Sequence, residues 1–171
     1  MRARSPAWAA AGLAIALAGC GKPASTGASG GEAAAPAAEA PAPTAAEKAA
    51  TLAALPAPYH TADLAAGEAK FGVCKSCHTI APGGANMTGP NLHGVFGRKA
   101  GTAPGFNYSD AVKAAGFDWD LHHLDSWLAN PRTFLPGTKM TFVGFKDPKD
   151  RVDVIAYLAV ETGYKAPAAA P

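Results

Sequence analysis

The stretch Cys74-Lys75-Ser76-Cys77-His78 decides how this chain folds. Two cysteines three positions apart, followed at once by a histidine, form the pattern that attaches a c-type haem. Each thiol adds to one vinyl group of the haem, and the histidine brings an imidazole nitrogen to the iron as an axial ligand. The motif therefore predicts one covalent haem c with His78 as an iron ligand.

Two other interpretations of the motif are weaker. A structural zinc site needs four ligands, usually from two such cysteine pairs, and the chain has only three cysteines. A thioredoxin-like dithiol belongs near a βαβ pattern, whereas the residues around Cys74 follow a helical pattern. The sequence thus favours haem attachment.

The N-terminus has the composition of an export signal. Residues 1–19 carry Arg2 and Arg4, and the apolar stretch that follows is shorter than the roughly 20 residues of a membrane-spanning helix. The stretch ends in Leu17-Ala18-Gly19-Cys20, which resembles a bacterial lipobox and predicts a lipid on Cys20. Ordinary signal cleavage after Ala18, leaving a free thiol, is the alternative.

The composition then changes twice along the chain. Residues 20–58 are mostly small residues, proline and glutamate, with no aromatic side chain, and this predicts a disordered tether in which 45–55 forms at most a transient helix. Residues 59–165 form the predicted domain and 166–171 a disordered tail. The domain carries 11 Lys and Arg against 10 Asp and Glu, which argues against a nucleic-acid partner. We expect a monomer.

Helical spacing predicts the frame of the domain. A first helix is expected over 62–75, capped by Thr61, and a last helix starts at the Asp147-Pro148 cap and ends near Gly163. Glycine inside a helix is costly unless another helix crosses close by. Gly67 therefore predicts that the first helix crosses the last.

The middle of the domain is predicted to wrap the cofactor. The stretch 79–107 is rich in Gly, Pro and Asn, and so long a loop is unusual unless it encloses something. Two short helices are expected over 109–115 and 121–129, the second capped by Asp120 and stopped at Asn130-Pro131. No run resembles a strand. The sequence predicts an all-α domain around a haem.

Six side chains are candidates for the sixth iron ligand: Met87, Met140, His60, His93, His122 and His123. Met140 is the strongest, because a Pro-Gly turn places it in an irregular segment after a helix. Met87 is too close to His78 in sequence to reach the opposite haem face easily. A loop methionine is more often a filler of the core, so the residues alone leave the ligand open.

A longer set of motifs resembles the class I cytochromes c of the mitochondrial and alphaproteobacterial type. The likeness covers about 64–163. It is carried by Cys74–His78, Gly89–Gly94, Phe96–Arg98, Gly105–Tyr108, Trp119 and Asn130–Phe142. It implies that family's fold, in which the N- and C-terminal helices cross and short helices and loops surround one haem. It also implies Met140 as the sixth ligand.

The resemblance implies further roles. Pro90 would accept the ring N–H of His78, and Phe142 would cover the haem edge. His93 would be structural. The implied donors to the haem propionates are Arg98, Tyr108, Trp119 and Thr138.

Two departures from the family pattern stand out. Trp127 occupies the place of a tyrosine whose hydroxyl reaches the methionine ligand. The lysines that guide partners are few, and those available for a local patch are Lys75, Lys139, Lys146 and Lys149.

The expected function is single-electron transfer on the periplasmic face of a bacterial membrane. The inner membrane is favoured over the outer membrane. The respiratory partners would be a cytochrome bc-type complex and a terminal oxidase. With both axial positions filled, the chain would not be an enzyme. The alternatives are a haem sensor or peroxidase-like protein with a displaceable Met140, or a fixed oxidase subunit.

Overall fold

Helices and loops make up the structure, a computed structural model that describes residues 42–165. The α-helices are α1 (Ala45–Ala54), α2 (Leu64–Phe71), α3 (Asp110–Lys113), α4 (Leu121–Ala129), α5 (Pro131–Phe134) and α6 (Pro148–Glu161), with a 3₁₀ turn at Tyr59–Thr61. Within this part of the chain the only β pairing is an isolated antiparallel bridge between Lys99 and Asp118. The all-α prediction is confirmed.

Helix α2 is shorter than predicted and starts at a different cap. The Asp63 side chain accepts the backbone N–H groups of Ala65 and Ala66. The predicted cap, Thr61, lies in the 3₁₀ turn, where its hydroxyl donates to the Pro58 carbonyl instead. The α-helix ends at Phe71, and turns continue the chain through the cysteine motif. The predicted span of 62–75 was therefore too long at both ends.

The predicted crossing of α2 with the last helix is confirmed. Gly67 is buried, and a Cβ placed on it would lie 2.8 Å from the Tyr157 Cβ and closer still to the Asp153 carbonyl oxygen. Helix α6 begins as predicted, with the Asp147 side chain accepting the N–H of Lys149 and Pro148 in the first turn. Glycine thus allows the two backbones to approach at the centre of the domain.

Residues 42–58 belong to the folded domain, which corrects the predicted boundary at residue 59. Thr44 and Glu47 form a reciprocal capping box at the start of α1, and Lys48 pairs with Glu161 of α6. Leu55 is only 4% exposed and joins the hydrophobic core. These tertiary contacts stabilise a helix too short to persist alone. The rest of the predicted tether lies outside the described residues.

The short helices near the centre lie at their predicted places, although α3 covers only Asp110–Lys113 of the predicted 109–115. Ser109 caps α3, and Asp120 caps α4, which spans the predicted residues. The Asn130-Pro131 stop is followed by one more helical turn, α5, because the Asn130 side chain caps it and proline suits its first position. In residues 42–165 no helix has the length and apolar character needed to cross a membrane.

Candidate functional site

One cavity of about 340 Å³ opens between the cysteine motif, α4, α6 and the segment after α5. Its walls include apolar side chains of the core. They also include every predicted haem-binding residue: Cys74, Cys77, His78, Pro90, Arg98, Tyr108, Trp119, Thr138, Met140 and Phe142. Residues up to 68 positions apart in sequence therefore meet at one site.

The turn after α2 presents the two cysteines to the cavity. The backbone N–H groups of Cys77 and His78 donate to the Cys74 carbonyl over 3.0 and 2.9 Å. The two thiols are not bonded to each other. Burial, followed by the effect of Cys77, raises the pKa of the Cys74 thiol to about 11. A redox dithiol requires a lowered thiol pKa, so this environment does not suit thioredoxin-like chemistry.

The His78 imidazole is fixed on one side. Its Nδ1 lies 2.7 Å from the Pro90 carbonyl oxygen, which fixes Nδ1 as the donor and leaves the Nε2 lone pair free. Burial lowers the pKa of His78, while the bond to Pro90 acts in the opposite direction. The ring is therefore neutral and able to bind a metal through Nε2. The arrangement implied for Pro90 is present.

Gly89 is a site residue that the sequence analysis included in the Gly89–Gly94 motif without predicting a role for it. It is buried, and a Cβ there would lie 2.7 Å from both ring nitrogens of His78. The Gly89 N–H also donates to the Cys77 carbonyl over 2.8 Å. Within that motif, the resemblance implied a contact with the His78 ring only for the adjacent Pro90.

Met140 lines the same cavity from the segment after α5. A glycine turn precedes it, with Gly137 at a φ of 89°. The Thr138 hydroxyl then accepts the Met140 backbone N–H over 3.2 Å. Met140 is partly buried against the core. A thioether and an imidazole are thus both available to one bound group.

Hydrogen-bond donors gather on part of the cavity wall. The Arg98 guanidinium donates to the His93 and Asn91 carbonyls over 3.1 and 3.2 Å. Burial lowers the pKa of Arg98, and Tyr108 partly opposes this, yet a guanidinium keeps its charge at neutral pH. Burial also raises the pKa of the Tyr108 hydroxyl, which therefore remains a donor. Such groups can compensate carboxylates away from water.

The other candidates for an iron ligand do not line this cavity. Met87 is 48% exposed, and His60 and His122 are exposed as well. His123 stacks on Phe117 with ring centres 4.3 Å apart. The backbone of His93 is held by Asn91 and Arg98. Trp127, the departure from the family pattern, does line the cavity.

The chemistry of this site fits a haem. Two thiols, a neutral imidazole and a thioether face an apolar cavity with a cationic guanidinium on its wall, and these donors suit covalent attachment, iron ligation and propionate binding. A family model described as cytochrome c matches residues 64–160. This chain belongs to the cytochrome c family. Its cofactor is one covalent haem c, and the Cys74–Cys77 motif fits the attachment.

Relatives of this cytochrome c occur in bacteria and in eukaryotes. Cytochrome c2 of Rhodomicrobium vannielii is 50% identical over 105 residues, which cover 61% of this chain and 84% of that one. Cytochrome c of Arabidopsis thaliana is 47% identical, with 56% and 91% covered. Cytochrome cH from Methylobacterium extorquens has a similar structure, with a TM-score of 0.55, 49% identity and coverage of 58% and 99%.

The cytochrome is a monohaem electron carrier, and the expected class I fold is confirmed by this likeness. Helix α1 precedes the residues that the family model matches. It is therefore an addition to the part of the chain that the family describes.

Proposed function

We propose that this cytochrome shuttles single electrons with the iron closed by His78 and Met140. The observation that supports this most directly is that both side chains line the cavity that also holds Cys74 and Cys77. With His78 and Met140 both bound to the iron, no position would be left for a substrate, so the protein would be a carrier and not an enzyme. The bound haem supplies the one-electron chemistry.

The residues of the chain have separate tasks in this proposal. The Pro90 carbonyl holds the His78 ring and raises its basicity as a ligand. Four residues that line the cavity would bind the haem propionates: Arg98, Tyr108, Trp119 and Thr138. A thioether ligand stabilises the reduced state, and the apolar wall, including Phe142, disfavours the extra charge of the oxidised state. Both effects raise the reduction potential.

We place the carrier on the periplasmic face of a bacterial inner membrane. The support is the sequence Leu17-Ala18-Gly19-Cys20, which lies outside the described residues, and the bacterial relatives named cytochrome c2 and cytochrome cH. A lipid on Cys20 would hold the monomeric domain near a cytochrome bc-type complex and a terminal oxidase. Tethering raises the effective concentration of a partner without new contacts.

Two of the four lysines considered for a partner-binding patch have local anionic partners. Lys149 lies 2.6 Å from Asp153, and Lys75 lies 3.7 Å from Glu68. Lys139 and Lys146 donate to backbone carbonyls at 3.4 and 3.3 Å. The formal charge is only +2 over the whole chain, so long-range electrostatic steering toward a redox partner is weak. The proposed tether would compensate by keeping the domain near that partner.

Carbon monoxide tests the closed iron. The absorption spectrum of the reduced, haem-loaded protein should not change when carbon monoxide is added, because Met140 occupies the site. Met140→Ala should open the iron and shift the Soret band on addition of the gas. Met87→Ala is the matched control, since Met87 is exposed and off the cavity, and it should behave as the wild type.

A shifted Soret band in the wild-type protein would contradict the proposal. It would indicate a displaceable Met140 and favour the sensor or peroxidase-like alternative. A fixed oxidase subunit is distinguished differently, because it would copurify with oxidase subunits after mild detergent extraction. A shuttle should separate from them.

A further inference from the structure

Arg151, near the start of α6, joins three parts of the domain. Its side chain is 13% exposed, and its Nε donates to Asp125 Oδ1 on α4 over 2.8 Å. Its Nη1 donates to the Phe145 carbonyl over 3.0 Å and to the Lys146 carbonyl over 3.4 Å. One guanidinium therefore connects α4, α6 and the end of the segment that carries Met140.

Two backbone contacts also pack residues 144 and 145, at the C-terminal end of the Met140 segment (residues 138–146), against α4. The Phe145 N–H donates to the Leu128 carbonyl over 2.8 Å. Gly144 has a φ of 89°, and its backbone passes so close to the Ala129 carbonyl that a Cβ would collide with it. Residues 144–146 thus lie against the C-terminal end of α4, next to the pair formed by Asp125 and Arg151.

The middle of the Met140 segment has few hydrogen bonds that would hold it in place. Residues 139–143 make no backbone-to-backbone hydrogen bond within the described part of the chain. The Met140 N–H donates only to the Thr138 hydroxyl, and Val143 is 77% exposed. The position of the methionine therefore depends on the turn before it and on the contacts at 144–146 after it.

We propose that the Asp125–Arg151 pair is a latch that positions Met140, with Arg151 as the positioning residue. Asp125 orients the guanidinium, and the guanidinium holds the Phe145 and Lys146 carbonyls. Charged hydrogen bonds of this kind are stronger than neutral ones. The latch shortens the time for which Met140 is away from the iron. This inference rests on the proposed ligation by Met140.

Arg151→Lys is the informative variant. Lysine keeps the positive charge but lacks the fork that contacts Asp125 and both carbonyls at once. Asp125→Asn is a milder change that keeps the shape and removes the charge of the orienting group. Lys70→Gln is the matched control. It removes a different ion pair of α6, the one between Lys70 on α2 and Asp150 on α6, whose charged atoms lie 2.6 Å apart.

Two measurements decide the proposal on the haem-loaded protein. Hydrogen–deuterium exchange in the peptide covering 138–146 should be faster by about tenfold in Arg151→Lys, by less in Asp125→Asn, and unchanged in Lys70→Gln. The rate of carbon monoxide binding to the reduced protein should increase in the same order. Exchange at the wild-type rate in Arg151→Lys, or equal acceleration in Lys70→Gln, would overturn the latch.

The two proposals fail in different ways. If the wild-type protein binds carbon monoxide readily, the ligation by Met140 fails, while exchange in the peptide still tests whether Arg151 holds the segment. If the wild type resists the gas and Arg151→Lys exchanges normally, the ligation stands and the latch fails.

Discussion

Gly89 shows how one residue without a side chain shapes the ligand side of the site. Its backbone lies against the His78 ring, and the Pro90 carbonyl next to it accepts the ring N–H. Any side chain at position 89 would have to displace either the ring or the loop. The orientation of the imidazole therefore depends on a glycine that itself binds nothing.

Gly89→Ala should reduce stability through this contact. The added methyl group would push the His78 ring away from Pro90, and overpacking of this kind costs about 1–3 kcal/mol. Denaturant unfolding of the haem-loaded protein measures the cost, and the haem content per protein reports attachment. Gly83→Ala is the control, because its φ of 68° adds backbone strain but nothing lies within 4 Å. Equal unfolding free energies for the two variants would contradict the prediction.

At the scale of residues, the sequence was informative where chemistry requires particular side chains. The motif at 74–78 predicted haem attachment. The resemblance assigned roles to Met140 and Pro90, and both residues line the cavity. The contact of Gly89 with His78 and the role of Arg151 were not predicted, for a physical reason. A glycine that contacts a ring, and an arginine that contacts carbonyls in a loop, look like any turn glycine or surface cation until tertiary contacts are known.

At the scale of elements, the crossing of α2 and α6 organises the domain. Gly67→Leu should lower the melting temperature by at least about 10 °C, because the side chain would enter the space held by Asp153 and Tyr157. Ala69→Leu lies on the exposed face of the same helix and should have little effect. Thermal unfolding followed by circular dichroism measures both. A Gly67→Leu protein that melts with the wild type would exclude a tight crossing.

Helix α1 marks the limit of prediction at this scale. Alone, ten residues rich in alanine are marginal in water, so the composition around it predicted disorder. The helix is stabilised by partners far away in sequence, including Glu161, which is 113 positions from Lys48. Caps such as Asp120 and Asp147 act within one turn, and this is why α4 and α6 were predicted closely while α1 was not.

At the scale of the whole molecule, the proposed lipid on Cys20 would hold the carrier at the membrane. If the thiol carries lipid, the wild-type protein should sediment with membranes, and Cys20→Ser should appear in the soluble periplasmic fraction with its haem intact. Mass spectrometry of the mature N-terminus measures the modification directly. An unmodified Cys20 in the mature chain would contradict the anchor and support ordinary cleavage after Ala18.

The docking of α1 on α6 also has a practical consequence for protein production. A recombinant fragment beginning at residue 58 would lack Leu52 and Leu55, and the apolar surface that they cover would become exposed to solvent. Exposed patches of this kind promote aggregation, and truncations are tolerated best where they remove no buried contacts. A fragment beginning at residue 42 keeps the capping box, the pair with Glu161 and the buried leucine. The position of the first codon therefore decides whether the purified haem protein keeps its native surface.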